Sequence, residues 1–349
     1  MSQADASPDT DSHSPTAAAR DALAGLTCWV VTDGKAGMEI QCKGLAEALG
    51  FTPDIKRVSV TKPWRWLPAG LIRDPLATLG PKGDRLAPPW PDLWIASGRQ
   101  TVPLTRDLRK LSGGRSFTVQ IQNPAIDPAA IDLIVTPEHD RLRAANVLTT
   151  RGSLGQVTPQ RLAEAAARFG PRYAQLPEKR IGVLIGGDNK VFRLDSRTMT
   201  KLTDQLAALA RAGWGLMITP SRRTGERNEA ILRRGLAGLP ADIWDGPGDT
   251  AGENPYFGIL ALADHLVVTG DSVNMVSEAA STGKPVHVVD LQGHAPKFSR
   301  FHQALQEAGI TRPFSGELEE WTYTPLAETQ RAAEEIRRRL LDHLAQRAA

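Results

Sequence analysis

Cysteine is nearly absent: Cys28 and Cys42 are the only two in 349 residues. One falls in a strand-like run and the other in a helix-like run, so neither a disulfide framework nor a cysteine zinc site is supported, and a reducing compartment is expected. No run of about 18 apolar residues occurs, and residues 1–26 contain no hydrophobic signal core. The chain is therefore expected neither to span a membrane nor to carry a secretory signal. Residues 1–26, acidic, Ser- and Pro-containing and poor in Arg, read as a disordered tail and not as a mitochondrial transit peptide. A formal net charge of only +3 lacks the concentrated positive charge of a general nucleic-acid binder, and no nucleic-acid partner is expected. GxSxG, HExxH and any clustering of His with Cys are also missing, and the seven histidines are scattered. Nucleophile-elbow and metal chemistry are thus not expected, and neither a metal nor a resident cofactor is implied.

What is present is an α/β pattern repeated in two similar halves. With 41% apolar residues, the chain can bury a sizeable core. The run TCWVVTDGKAGMEIQCKGLAEALG reads as strand, glycine-containing turn and helix, closed by Gly50. DIKRVSV, DLWIASG, FTVQIQNP, DLIVTPEHD and NVLTT then supply strands with polar ends. An Ala-rich helix and the loop GPRYAQLPEK intervene before RIGVLIGGDNK restarts the plan. The expected domains are 27–170 and 171–325, and helix 326–349, Arg-rich on one side, is expected to pack across both. The fold class is α/β, two Rossmann-like parallel-sheet domains facing a cleft, with the C-terminal helix crossing back.

The most informative stretch runs from Asp264 to Asp290. HLVV reads as a buried strand, Thr269 to Ser272 supply turn and N-cap residues, a helix follows, and VHVV starts another strand. Such a βαβ unit places free N–H groups and the positive end of a helix dipole at the strand end, where an anion binds. Asp271, Asn274, Met275 and Glu278 share one helical face, so Glu278 could accept ribose hydroxyls while the turn holds a diphosphate.

Other polar residues fall at corresponding strand ends. Gly186, Gly187 and Asp188 stand where the first half has its glycine loop, and Glu253 and Asn254 precede another helix. In SRRTGE, Ser221, Arg222 and Arg223 follow a strand directly, where two guanidiniums can neutralise a departing diphosphate. In the first half, Asp33, Glu39 and His139 are base candidates by location, among further polar strand-end residues that include Lys35 and Ser97. TKPWRWLPAGLIRDPL sets two Trp and several cations close together. Trp64, Arg65 and Trp66 suit contact with an anionic membrane surface, against the alternative of a covered loop.

SEAASTGKPV after a strand and a polar turn resembles the donor-binding region of glycosyltransferases of the GT-B architecture. More extensively, TDGKAG with Gln41 and GLAEALG, TPEHD, ITPSRRT, GENPYFGILALAD and VTGDSVNMVSEAASTGKPVHV resemble the mitochondrial fission (elongated mitochondria) family, over about Thr27 to Arg312. Bacterial members of that family are often labelled nucleoside-diphosphate-sugar epimerases, and the resemblance implies a GT-B-like fold. It assigns Glu278 to the ribose hydroxyls, the turn Gly270 to Ser272 to the diphosphate, and Gly186 with Gly187 to the turn opening the second domain. Met38 departs from the His frequent there in bacterial members. The expected activity is transfer of a sugar from a nucleoside-diphosphate donor, the substrate, to an acceptor that is lipid-linked or part of the cell envelope. The alternatives are a nucleoside-diphosphate-sugar epimerase and a non-catalytic membrane-associated adaptor. The expected place is the cytoplasm, peripheral on the inner face of a membrane.

Overall fold

The computed structural model describes residues 23–246 and 253–348. Most of the expected tail and part of the GPGDTAGENPYF loop, residues 247–252, lie outside the described residues. The packed chain starts earlier than residue 27: Leu23 is buried in the first core with Leu26 against it.

Two six-stranded sheets, each parallel throughout, form the frame. The first contains β1 (Cys28–Thr32), β2 (Asp54–Arg57), β3 (Leu93–Ser97), β4 (Phe117–Ile121), β5 (Leu133–Pro137) and β6 (Val147–Thr150), in the order β2-β1-β3-β4-β5-β6. The second contains β7 (Arg180–Ile185), β8 (Gly215–Pro220), β9 (Ala241–Ile243), β10 (His265–Thr269), β11 (Val286–Val289) and β12 (Thr311–Pro313), in the order β12-β11-β10-β7-β8-β9. Every residue of β3, β4, β8, β10 and β11 is buried, as parallel strands covered on both faces require. The short β12 contains Pro313, and the sequence pattern shows no sign of it.

Side chains cap the connecting helices that begin at Pro159, Ser196 and Val273, and those that begin at Ala36, Val102, Glu226, Tyr256 and Pro296 start without a side-chain cap. The helix α1 (Ala36–Ala48) follows the β1 turn, and α2 (Val102–Leu111) follows β3. Thr158 Oγ1 accepts the Arg161 amide at the start of α3 (Pro159–Phe169). Asp195 accepts the Thr198 amide at 2.8 Å to begin α4 (Ser196–Arg211). After α5 (Glu226–Gly235) comes α6 (Tyr256–Leu262), whose last carbonyls, Leu260 O and Ala261 O, accept from Lys284 Nζ at 2.8 and 2.5 Å. A cation at a helix carboxyl end is favoured by the dipole, and here burial lowers the Lys284 pKa to about 8. The remaining helices are α7 (Val273–Ala280), α8 (Pro296–Glu307) and α9 (Glu328–Ala348).

One boundary differs from expectation, and the C-terminal helix buries its apolar face chiefly on one side. Helix α3 belongs to the second domain and not to 27–170: Leu162 and Phe169 pack in the core built on β10 and α6. A β-carbon on Gly258 of α6 would meet the Phe169 ring within 2.7 Å, and Arg161 stacks on Phe257 at 4.0 Å. The change of domain therefore falls at 151–156, just after β6. Helix α9 inserts Ala332, Ala333, Ile336 and Leu340 into the first core, while Leu326 just before it is buried in the second. Its first turn also grips the linker: the Arg151 amide donates to Glu328 Oε1 at 3.1 Å and the Gly155 amide to Thr329 Oγ1 at 3.0 Å.

The domains meet directly. Gln41 Nε2 donates to Asn274 Oδ1 at 3.1 Å, and the Ser153 amide to Ser277 Oγ at 3.0 Å. Further along the cleft, Lys297 Nζ pairs with Asp140 at 2.8 Å and Arg300 donates to the His139 carbonyl at 3.0 Å. The carboxyl ends of both sheets thus turn toward one shared boundary, where the strand-end loops collect.

Candidate functional site

The first-domain side is built on two adjacent central strands, β1 and β3, paired so that Thr32 stands opposite Ser97. Directly after Thr32, the Asp33 side chain is only 2% exposed. Its Oδ2 pairs with Lys35 Nζ at 2.5 Å and lies 3.5 Å from Gln100 Nε2. Its Oδ1 is buried without a hydrogen-bond partner, and so is the Ser97 hydroxyl. Buried polar atoms are nearly always paired, so these two orphans on neighbouring strand ends are first-domain groups with hydrogen-bonding capacity left to offer a ligand. Gly98 makes the room: a β-carbon there would lie 3.0 Å from Met38 Sδ and 3.4 Å from Asp33 Cγ. Met38, where the resemblance suggested a His, therefore packs beside Asp33 as apolar wall.

Glu39 and His139, the other expected bases, are committed elsewhere. Both Glu39 oxygens accept from Arg57, at 2.7 and 2.8 Å, in a bidentate pair at the edge of the sheet. His139 is packed edge-on against Phe301 of α8, ring centroids 5.9 Å apart. Burial and then Lys297 push its pKa down to about 4, with Asp140 opposing and Arg300 adding. The imidazole is neutral at pH 7 and serves the domain contact.

On the second-domain side, the glycine turn after β7 is filled by protein. A β-carbon on Gly186 would lie 2.2 Å from Asp271 Oδ1, and one on Gly187 would lie 2.0 Å from the Arg223 carbonyl oxygen. The Asp271 carboxylate, with no side-chain exposure, accepts from Arg223 Nη1 at 2.5 Å, the Gly187 amide at 3.2 Å and Thr269 Oγ1 at 2.7 Å. Ser221 Oγ donates to the Gly186 carbonyl at 2.9 Å, and Asp188 Oδ1 accepts the Leu194 amide at 2.8 Å. Asp271 therefore supplies the negative charge to which these donors turn, in the place where a phosphate was expected. Gly186, Gly187, Asp188, Ser221, Arg223 and Asp271 tie the ends of β7, β8 and β10 together. Arg222, on the same turn as Arg223, is exposed.

Ser272 caps α7, its Oγ accepting the Met275 amide at 3.3 Å, and Gly270 leads into that turn. Asn274 in the first turn of α7 reaches the other domain: besides its bond to Gln41, its Nδ2 lies 3.2 Å from where a β-carbon on Gly37 would stand. The Asp33–Gly37 loop and the start of α7 are thus neighbours. Glu278, two turns along, accepts from Tyr256 Oη at 2.6 Å and packs beneath linker residue Gly155. Burial raises its pKa, opposed by the Tyr256 bond, nearby Arg161 and the Gln156 amide. Asn254 Oδ1 accepts the Tyr256 amide at 3.0 Å, and Glu253 is exposed and paired with Arg168. Trp64, Arg65 and Trp66 lie outside this cleft, on an exposed turn of the first domain.

Sequence reasoning missed His302 on α8. Its Nε2 donates to the Gly270 carbonyl at 2.8 Å, since that oxygen can only accept, which leaves Nδ1 as the unprotonated nitrogen, buried without a partner. Burial lowers its pKa, opposed by the Gly270 bond, Asp290 and Asp271. Nothing in FSRFHQAL advertises this, because the contact joins residues separated by 32 positions. Gln100 was likewise invisible: its Oε1 accepts the Val60 amide at 3.0 Å while Nε2 faces Asp33.

Among solved structures, UDP-GlcNAc 2-epimerase from Methanocaldococcus jannaschii superposes with a TM-score of 0.55 at 11% identity, over 89% of this chain and 99% of that one. A second structure of that enzyme, in complex with UDP-GlcNAc and UDP, gives 0.52 at 12% identity, over 90% and 99%. At such identity the likeness concerns the fold, which is the two-domain, GT-B-like arrangement. In sequence, mitochondrial fission protein ELM1 of Arabidopsis thaliana is 30% identical, over 89% of this chain and 90% of its own length. Protein RP120 of Rickettsia prowazekii (strain Madrid E) is 26% identical, over 89% and 98%. The model of the family described as mitochondrial fission ELM1 matches residues 36–340, and the chain belongs to that family.

Proposed function

We propose that the cleft takes a nucleoside-diphosphate sugar and that the chain transfers the sugar to an acceptor hydroxyl. The observation that carries this reading is Asp33: a carboxylate buried at the cleft, with Oδ1 unpartnered, next to the loop that abuts the start of α7. The relative of like fold bound to UDP-GlcNAc and UDP is consistent with a sugar nucleotide as ligand. In the proposed reaction, Asp33 Oδ1 takes the proton of the acceptor hydroxyl as that oxygen attacks the anomeric carbon. The bond from that carbon to the diphosphate breaks, and its electron pair leaves on the diphosphate oxygen. The free N–H groups at the start of α7 and the exposed Arg222 guanidinium stabilise the charge that develops there.

Transfer is favoured over epimerisation by the fate of the other base candidates. Epimerisation needs acid and base groups around the sugar ring, but Glu39 is held by Arg57 and His139 is packed on Phe301. Transfer needs one base. A non-catalytic adaptor would need no nucleotide at all.

Calorimetric titration with uridine, guanosine and adenosine diphosphates, followed by incubation with the corresponding sugar nucleotides, separates these readings. Binding, with release of nucleoside diphosphate that Asp33→Asn slows about 10²- to 10⁴-fold without abolishing binding, is the expected result. An epimerised sugar nucleotide with no diphosphate released would overturn transfer, and absence of any nucleotide binding would overturn the donor site itself.

A further inference from the structure

We infer that the Trp64 segment is a surface for docking on an anionic lipid bilayer. The inference rests on that segment alone and stands whether or not the cleft takes a sugar nucleotide. Between β2 and β3 the chain forms three 3₁₀ turns, Trp64–Trp66, Ala69–Leu71 and Leu76–Thr78, instead of a strand or helix. Trp64, Trp66 and Leu71 are 41%, 63% and 65% exposed, three of the six large apolar side chains that stand in solvent among the described residues. Scattered singly they would need no explanation, but here they fall within one eight-residue stretch. Beside them lies a cavity of about 270 Å³ walled by Trp64, Leu71, Ile72 and Ala77, with Arg73 and Asp74 also on its wall.

This surface is held in shape. Arg99 donates to the carbonyls of Trp66 and Leu67 at 2.9 and 3.0 Å, and Arg106 to those of Ala69 and Ile72 at 3.1 and 2.5 Å. Two guanidiniums from the β3–α2 region thus fix four carbonyls of the segment, so the rings are presented without first having to be ordered.

Charge identifies the occupant. From Lys62 to Arg85 the exposed ionic groups are Lys62, Arg65, Arg73, Lys82 and Arg85 against Asp74 and Asp84. Cations thus outnumber carboxylates by three on this one exposed segment. Tryptophan rings at headgroup depth, with cations beside them, are the combination that a bilayer with anionic lipid takes up. Gln100 binds the Val60 amide just before this segment and faces Asp33 at the cleft.

Flotation of the full chain with phosphatidylcholine vesicles, with and without phosphatidylglycerol, tests the surface. Retention is expected on the anionic vesicles, weakening as salt is raised. Trp66→Ala with Leu71→Ala should reduce partitioning at least about tenfold, while circular dichroism stays unchanged because both side chains stand mainly in solvent. Arg65→Glu with Arg73→Glu, which alters charge and not apolar area, should reduce it as well. Failure of the wild-type chain to float with anionic vesicles, or equal retention of the Trp66 and Leu71 double variant, would overturn the proposal. So would a dimer in sedimentation that the double variant disperses and that has no vesicle retention, since the surface would then be a contact between copies.

Discussion

At Gly186 a single added methyl group has nowhere to go. Its carbon would press on the buried Asp271 carboxylate, which cannot withdraw without leaving Arg223, Thr269 and the Gly187 amide unpaired. Gly186→Ala is therefore expected to lower stability by about 2 kcal/mol or more, read as a lower urea midpoint with an unchanged slope. A midpoint within error of wild type would mean that the strand ends part easily and that the space is open to a ligand after all. The residue's type was informative in sequence, since a glycine after a strand implies a close approach. What approaches it was not legible, because Asp271 is 85 positions away. Asp33 presents the reverse case: Asp33, Glu39 and His139 looked equivalent as bases, and only their partners separate them. Arg57 holds Glu39, Phe301 covers His139, and Asp33 Oδ1 keeps its lone pairs unclaimed.

At the scale of elements, α9 is the clearest case of a helix whose address is not written in its own pattern. Its apolar positions were readable as one face, and its crossing was expected, but its apolar face is spent on the first domain. Leu340, fully buried there, is expected to cost about 2–5 kcal/mol when truncated to Ala. Hydrogen exchange should then quicken in α1 and β4, which α9 touches, before it changes in β10 or α7. Uniform quickening in both domains would show that the two cores unfold as one unit. Helix α3 teaches the same lesson in the other direction. Its Ala-rich sequence sits between the halves, and the chain order alone offers no reason to assign it forward; the stacking of Phe169 on Gly258 and of Arg161 on Phe257 does.

For the molecule as a whole, buried neutral histidines couple stability to pH. His139 lies in the contact between domains, and His287 lies in β11 beside His265, Trp321 and Phe314. Burial, then His265 and Arg312 against Glu319 and Glu320, lowers the His287 pKa to about 4, the value reached by His139 as well. In the unfolded chain both protonate near the ordinary value of 6.5. Above that pH the imidazoles are neutral in both states and contribute nothing to pH dependence. Between about 6.5 and 4 the unfolded chain takes up protons that the folded chain refuses, so stability falls with pH by ~1.4 kcal/mol per unit for each group. Below the folded pKa the loss is complete. Urea midpoints measured across this window should fall, and His287→Phe should remove one group's share of the slope; an unaltered slope would show that His287 is already hydrated or charged in the native state.

Apart from the short β12 and the side to which α3 belongs, the sequence by itself determined most of the strands and helices and their parallel α/β class. These follow from apolar period, turn residues and caps, which act over a few positions and need no distant partner. It also carried enough paired motifs to show the family resemblance across most of the chain. The tertiary structure alone decided which polar residues are free for chemistry. A carboxylate's role depends on the group brought against it, and those groups come from far along the chain: Asp271 from a different strand than Gly186, Phe301 from a different domain than His139. For the same reason, the Trp64 segment could be either covered or exposed until the fold left its rings outside, and its carbonyls in the grip of Arg99 and Arg106.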